Sequence, residues 1–343
     1  MPWWPVDSTP FHSLSVQDRR RVLKSAAAVA GPRAYLLEKD TWVVQTLSVL
    51  FEAPFGADLV FKGGTSLSKA YRAIRRFSED VDVTYDIRSF VPELAGDAGD
   101  EALPPTRSQE QRWTRAIRLR LAEWTRDEAL PTLAEGMTRA GWHARLHADD
   151  YRLKVAYDPL FTDHEFVQPE VLVEFGARST GEPRERRLVE CDAARFVPEV
   201  SFPTARPSVM LVERTFWEKA TAIHVFCRRA RHRGNRLSRH WHDLVRLDDG
   251  GYVEKALADR ELARAVARHK AIFFREQDVE GDWIDYMAAV TGHLQLIPDR
   301  PLYDILAEDY RQMQRSGMLP EDAESFEDMM NRCAGIETRA NER

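Results

Sequence analysis

Hydrophobic and polar residues repeat with two different periods along the first part of the chain. Residues 36–55 place apolar side chains at helical spacing, which predicts a helix. Residues 58–61 form a short apolar run that is typical of a buried strand. Two glycines at 63–64 then precede a predicted helix over 67–76 and a predicted strand over 81–85 that alternates every second residue. The predicted order is therefore strand, glycine turn, helix, strand.

The rest of the sequence continues with mixed helix and strand patterns and then, after residues 183–207, becomes almost entirely helical. Residues 91–106 are rich in Gly, Pro and acidic residues, which predicts a mobile loop, and residues 107–139 read as a long charged helix. Strands are predicted at 151–157 and 171–175, the second with period-two alternation. A stretch with several prolines, 183–207, then separates this mixed part from a half that reads almost entirely as helix.

Composition agrees with two domains in one globular protein. The chain has 343 residues, 43% of them hydrophobic, which suffices for two ordinary cores. We predict an α/β (α+β) core domain with a small mixed sheet and N-terminal helices over residues 1–200. An α-helical C-terminal domain follows over residues 201–343. The net charge of −6 excludes a protein that coats nucleic acid over its whole surface, so any such contact must be a local patch.

The cellular location is predicted from cysteine usage and from hydropathy. Three widely separated cysteines fit neither a disulfide framework nor a thiolate zinc site, which indicates a reducing compartment. We see no leader pattern and no apolar run near the ~20 residues that a membrane span requires. A cytoplasmic protein without membrane contact is therefore expected.

The segment FKGGTSLSK, residues 61–69, has the composition of a phosphate-binding turn. Adjacent glycines let the backbone approach a phosphate closely, and the N–H groups that follow can bind the anion. A glycine pair alone is usually just a turn. The predicted nucleotide-binding residues of this segment are Gly63, Gly64, Thr65, Ser66 and Lys69.

Two carboxylates follow one short helix later, in the segment RFSEDVDV of residues 76–83. On a strand, Asp80 and Asp82 lie on the same face while the valines between and after them point into the core. Like charges so close together repel, so a divalent cation between them is expected. Mg²⁺, or Mn²⁺ in its place, suits an all-oxygen site that also takes phosphate ligands. A lone Asp-x-Asp is common on surfaces, but its place after the glycine turn favours a joint NTP and metal site.

Glu174 is the candidate third carboxylate of this site. It is an acid within an apolar strand, and burial would be costly unless it faced water, a cation or a metal. It could act as general base for an attacking hydroxyl or as a ligand to a second metal. The alternative is an acid on a solvated strand face or one paired with an arginine.

The motif FKGGTSLSKAYRAIRRFSEDVD resembles that of the AbiEii/AbiGii-type nucleotidyltransferase toxins, in the DNA polymerase β-like nucleotidyltransferase superfamily. The later segments ERTFWEK (213–219) and RHWHDL (239–244) are similar to the Lys and Asp motifs of that family, so the resemblance covers roughly residues 36–250. It implies that Asp80 and Asp82 hold the metal and that Lys219 and Asp243 complete the catalytic site. Ser78 occupies a hydroxyl position that is modified in some relatives.

The resemblance also implies a function. Members of the family are toxins of toxin–antitoxin or phage-defence systems, and characterised ones add nucleotides to the 3′ end of tRNA. A tRNA acceptor and an antitoxin encoded by a neighbouring gene are therefore the expected partners. Transfer to a protein or a small molecule, and a catalytically silent RNA-binding or antitoxin-binding module, are the alternatives.

Lys219 and a basic segment can also be interpreted without the resemblance. Lys219 is predicted near the edge of the buried stripe of a helix, from which a lysine can reach phosphate, although such lysines are more often solvated. Residues 228–240 hold six arginines and two histidines next to the predicted site. We favour contact with the phosphates of an NTP or an RNA, with Arg239 as the leading candidate, over a solvated loop.

Overall fold

The computed structural model describes residues 8–31, 33–162, 167–229, 236–320 and 322–342. Its strands are β1 (Thr9–Pro10), β2 (Leu59–Lys62), β3 (Val81–Asp86), β4 (Arg145–Asp149), β5 (Arg152–Ala156), β6 (Glu170–Ser179), β7 (Arg184–Arg186), β8 (Val189–Glu190), β9 (Val200–Ser201), β10 (Thr204–Ala205) and β11 (Ser208–Met210). Its helices are α1 (Val16–Ala30), α2 (Ala34–Glu52), α3 (Gly63–Lys69), α4 (Ile87–Phe90), α5 (Pro92–Ala95), α6 (Arg107–Trp124), α7 (Leu130–Arg139), α8 (Val212–Arg228), α9 (Arg239–Asp249), α10 (Tyr252–Ala258), α11 (Arg260–Phe273), α12 (Tyr286–Val290), α13 (Arg300–Arg315) and α14 (Phe326–Asn341).

A mixed sheet forms the centre of the first half, in the order β4, β5, β6, β3, β2, β11, β7. β3 runs antiparallel to β2 and parallel to β6. The predicted α/β (α+β) class with a mixed sheet and a helical C-terminal part is confirmed. The proline-dotted stretch 183–207 does not simply separate two parts, because β7 within it pairs with β11 and extends the sheet. Sequence pattern missed this strand because it is three residues long and carries no alternation.

The sheet has one apolar and one polar face, as period-two alternation requires. Val81 and Val83 of β3 and Val173 of β6 are fully buried and belong to the first hydrophobic core. Asp82 and Glu174 point to the opposite face and are half-buried. One face therefore stabilises the domain, and the other is available for chemistry.

The helix after the glycine pair differs from its prediction. It spans Gly63–Lys69, whereas the pattern predicts residues 67–76, and Arg72 adopts a left-handed φ of 51° that ends helical continuation. Leu67 and Ile74, on either side of this turn, are both buried in the second core. The turn lets both side chains pack there, so tertiary packing outweighs the local helical spacing.

Two large hydrophobic cores, with one small cluster of Tyr35, Leu36 and Val167, organise the described residues. The first holds the sheet with α1, α2, α6 and α7, and the second holds the helices from α8 onward together with Leu67 and Ile74. The long helix predicted over 107–139 is present as α6 and α7, joined by a π-helical turn at Thr125–Ala129. A domain boundary near residue 200 stays a prediction. Among the residues described, no helix combines the length and apolarity needed to span a membrane.

Candidate active site

The glycine turn and the Asp-x-Asp segment contact each other. Lys62 lies opposite Asp82 in the β2–β3 ladder, and Gly63 follows with a φ of 78°. A Cβ on Gly63 would overlap the Asp82 Oδ2 atom, so glycine is required by both backbone angle and space. One carboxylate of the predicted pair therefore points at the predicted phosphate-binding turn.

Asp80 lies just before β3 in a strongly acidic neighbourhood. It is half-buried, two residues from Asp82 and next to Glu79. Burial raises the pKa of Asp80 to about 6, and the charges of Glu79 and Asp82 add to the effect. Placing a cation here would relieve both the desolvation and the repulsion.

Charged side chains form a row across the polar face of the sheet. Lys62 is opposite Asp82, Asp82 is opposite Glu174, and Glu174 is opposite Arg152. The Arg152 Nε atom donates to Glu174 Oε1 at 2.6 Å, so the predicted third carboxylate has an arginine partner. The described residues contain no group of three His, Cys, Asp or Glu side chains placed to hold a metal, so the structure does not gather Asp80, Asp82 and Glu174 into a ready-made triad.

A buried ion cluster joins the glycine turn to the helical half. Asp243 of α9 is fully buried and accepts two hydrogen bonds from Arg76, at 2.7 and 2.8 Å. Lys219 of α8 lies 2.8 Å from the same carboxylate. Burial opposes the ionisation of Asp243, but Arg76 and Lys219 outweigh it and hold its pKa well below the usual range. Both oxygens are occupied, so Asp243 orients two cations and has no free position for substrate.

Arg76 is the principal site residue that sequence reasoning missed. A Cβ on Gly64 would lie 2.5 Å from the Arg76 Nη2 atom and 3.1 Å from the Ser78 Oγ atom. The guanidinium therefore packs directly on the turn. Its position at the start of the RFSEDVDV segment was a signal, but its partner Asp243 is 167 residues away in sequence.

The hydroxyl groups of the predicted site are hydrogen-bonded within it. Thr65 Oγ1 and Ser78 Oγ are 2.9 Å apart, and the Ser66 hydroxyl donates to the Gly63 carbonyl at 2.9 Å. Thr65 and Ser66 are almost fully buried. Ser78, which the resemblance marks as a modified position, is half-buried beside the turn.

Lys69 lies apart from this group, against expectation. Its ammonium is buried between Asp40 at 2.5 Å and Asp192 at 2.7 Å. Lys69 is six residues beyond Gly63, which is about 9 Å along a helix axis. The ammonium thus joins α3 to α2 through Asp40, and the predicted contact of Lys69 with nucleotide stays a prediction.

The basic segment reaches the site through its C-terminal end. Arg236 pairs with Glu79 at 3.0 Å, and Glu79 also pairs with Lys39 at 2.6 Å. Burial lowers the pKa of Arg239, with a further contribution from Arg76, while Asp243, Asp80 and Asp82 oppose this shift. Arg239 thus lies within electrostatic range of the acid pair. The predicted contacts of residues 230–235 lie outside the described residues.

Comparison with known proteins assigns the family. The model of the family described as "Nucleotidyl transferase AbiEii toxin, Type IV TA system" matches residues 45–332. Among solved structures, MenT4, a nucleotidyltransferase toxin from Mycobacterium tuberculosis H37Rv, is similar with 17% identity and a TM-score of 0.40, over 96% of this chain and 98% of that one. No curated protein sequence matches the chain. Because the family model covers most of the sequence, the chain belongs to the AbiEii family of nucleotidyltransferases, the toxins of type IV toxin–antitoxin systems.

Proposed function

We propose that this chain transfers a nucleoside monophosphate from an NTP to an acceptor hydroxyl at the face bearing Asp80 and Asp82. The observation that carries this proposal is the contact of the Asp82 carboxylate with the Gly63 turn. A triphosphate on the turn and a cation on the acids would then be neighbours. Arg76 packs on Gly64 of the turn and is held by Asp243, which also holds Lys219, so we propose that these two cations supply positive charge to the site.

The donor set fits a hard divalent cation. Asp80 and Asp82 offer carboxylate oxygens, and Mg²⁺ commonly binds one or two carboxylates together with substrate phosphates. The crowding that raises the Asp80 pKa to about 6 is what such a cation would offset. When bound, Mg²⁺ or Mn²⁺ would neutralise charge on the reacting phosphate.

The sheet register supports a separate side for each substrate. Lys62 and the glycine turn flank Asp82 on one side, where we propose the triphosphate, and Glu174 flanks it on the other. In an in-line displacement the attacking hydroxyl approaches opposite the leaving group, so the proposed position of the acceptor is near Glu174. The hydroxyl oxygen forms a bond to the α-phosphorus, the bond to the bridging oxygen breaks, and pyrophosphate leaves. Glu174 is the proposed acceptor of the hydroxyl proton. To act in this way, its carboxylate would leave the hydrogen bond with Arg152.

We propose the 3′ end of tRNA as the acceptor, because the motif resembles family members that use it. Arg236 and Arg239 border the acid pair and suit a phosphate backbone. The family supplies the toxins of type IV toxin–antitoxin systems, so an antitoxin is the expected partner. We propose that a neighbouring gene encodes this antitoxin.

The test is transfer of label from each NTP in the presence of total RNA. We expect one NTP to label RNA, and Asp80→Asn to reduce this by about 10²–10³-fold, the range for loss of one electrostatic group. Asp97→Asn changes an exposed acid and serves as the matched control. Nuclease should release the label, and protease should not.

Two outcomes would contradict the proposal. Label that protease releases would exclude an RNA acceptor. Transfer that persists in Asp80→Asn, with the fold shown intact by circular dichroism, would remove the acid pair from the mechanism.

A further inference from the structure

Glu79, the acid directly before Asp80, is paired on both of its oxygens. Glu79 Oε2 accepts from the buried Lys39 ammonium of α2 at 2.6 Å, and Glu79 Oε1 accepts from the Arg236 guanidinium at 3.0 Å. Glu79 itself is buried. The carboxylate therefore connects α2 with the C-terminal end of the basic segment, next to the acid pair.

The backbone at this end of the basic segment is held by helix α13. Asp309 Oδ1 accepts from the Arg236 N–H at 2.6 Å, and Asp309 Oδ2 accepts from the N–H and the hydroxyl of Ser238 at 2.8 and 2.5 Å. Arg236 has a left-handed φ of 62°, which residues with a side chain seldom adopt. Such a conformation persists only where the surrounding structure fixes it, and these positions cluster at functional sites.

The guanidinium of Arg236 has hydrogen-bonding capacity left. Its side chain is 37% exposed, and its Nη1 atom alone donates to a described residue, which is Glu79. Arginine carries five N–H donors in a planar fork, so one edge can stay on Glu79 while another binds a phosphate oxygen. A cation with free donors is thus fixed beside the acid pair.

The contacts of Lys39 indicate on which side of the acid pair this cation lies. The Lys39 ammonium also donates to the Gln168 carbonyl at 3.0 Å, two residues before β6 begins. β6 carries Glu174, next to which the acceptor is proposed, whereas the glycine turn follows β2 on the opposite side of β3. This arrangement favours an acceptor phosphate over the triphosphate as the ligand of Arg236.

We propose that Glu79 and Asp309 are positioning residues that hold Arg236 beside the acid pair, where its guanidinium binds a phosphodiester of the RNA acceptor. The inference rests on the RNA acceptor of the proposed function. A phosphodiester is present in every RNA, and its contact with arginine does not depend on base sequence. The inference also gives α13 a function, because Asp309 fixes a substrate contact that lies 73 residues earlier in the chain.

The test is binding of fluorescently labelled total tRNA to the full chain without NTP, measured by anisotropy over a series of salt concentrations. We expect Arg236→Gln to raise the Kd about tenfold, the range for a hydrogen bond to a charged group. The slope of log Kd against log salt should fall by about 0.7–0.9, the value for one lost phosphate contact. Arg236→Lys keeps the charge and should retain the slope. Arg139→Gln, at an exposed arginine of α7, is the control and should change neither quantity.

Positioning is tested by variants that keep the charge and change the reach of the carboxylate. Glu79→Asp is one methylene shorter and Asp309→Glu is one methylene longer, so each should loosen the hold on Arg236. We expect each to raise the Kd about threefold with an unchanged salt slope. Neither should add to the effect of Arg236→Gln, because both residues act through Arg236.

Three outcomes would overturn the inference. An unchanged salt slope in Arg236→Gln would exclude the phosphate contact, and so would absence of tRNA binding by the unaltered protein. Equal effects of Glu79→Asp with and without Arg236→Gln would indicate a structural role for Glu79. Because no NTP is present, a failure of nucleotide transfer would contradict the proposed reaction and would not alter this readout.

Discussion

Two groups of charged side chains meet at the Gly63 turn, and their charge balance differs. The group around Asp243 is fully buried, and each of its carboxylate oxygens has a cationic partner. The group around Asp80 and Asp82 is half-buried and has neighbouring acids that raise the Asp80 pKa to about 6. Complete pairing is what a rigid frame requires, whereas unbalanced charge indicates a place for a ligand. This difference supports the proposal that Asp243 positions Arg76 and Lys219 and that the acid pair binds a ligand.

The largest effect on stability should come from removing the negative charge of Asp243, whose two oxygens are both paired with cations. Asp243→Asn leaves Arg76 and Lys219 buried without their counter-ion, so the free energy of unfolding should fall by about 3 kcal/mol. Asp80→Asn should leave it unchanged or increase it, because repulsion is relieved. Urea denaturation of both variants checks this contrast. An unchanged free energy of unfolding in Asp243→Asn would show that the group around Asp243 does not stabilise the fold more than the acid pair does.

The same contrast has a pH signature. The folded-state pKa of Asp243 lies below its unfolded value, so its contribution is present in full above about pH 4 and is lost as the pH falls further. Asp243→Asn should therefore flatten the acid limb of the stability curve.

A smaller effect is expected where the two groups meet, at Gly63. Gly63→Ala introduces left-handed strain of about 1–2 kcal/mol and also displaces the Asp82 carboxylate. Gly31→Ala is a matched control, because Gly31 has a φ of 92° and nothing within 4 Å of an added Cβ. Gly63→Ala should lose at least as much stability as Gly31→Ala, and Gly63→Ala alone should lose about tenfold or more in kcat/KM. Equal activity losses would mean that strain, and not the carboxylate, matters here.

The smallest effect is expected at Arg152, the exposed end of the row of charged side chains on the polar face of the sheet. Arg152 and Glu174 form a pair with side-chain exposures of 49% and 31%, so Arg152→Gln should cost at most about 1 kcal/mol. Release of Glu174 should change the KM for the acceptor and leave the KM for NTP unaltered. Arg145→Gln, which breaks an exposed pair with Asp158, is the control. A changed KM for NTP would contradict the proposal that Glu174 lies next to the acceptor.

Local pattern was sufficient for the features that depend on neighbouring residues. Strand alternation correctly oriented Val81 and Val83 into the core and left Asp82 on the other face. The glycine pair was recognisable because a tight turn requires specific residues. These features are determined within a few residues, so sequence shows them directly.

Features that depend on distant partners could not be predicted in the same way. Arg76 is held by Asp243, and Lys69 forms ion pairs with Asp40 and Asp192. The helix predicted over 67–76 ends early because two side chains are needed in another core. In each case the deciding energy comes from residues far along the chain, which a short window does not contain.

The packing of Leu67 and Ile74 into the second core has a consequence for folding during synthesis. These side chains lie in the segment between the glycine turn and the acid pair, and the core that holds them extends to Ala340 in α14. A chain that emerges from the ribosome N-terminus first cannot bury Arg76 against Asp243 until α9 has been made, and cannot complete this core until α14 has been made. The segment next to the acid pair therefore reaches its final packing long after its own residues have been synthesised.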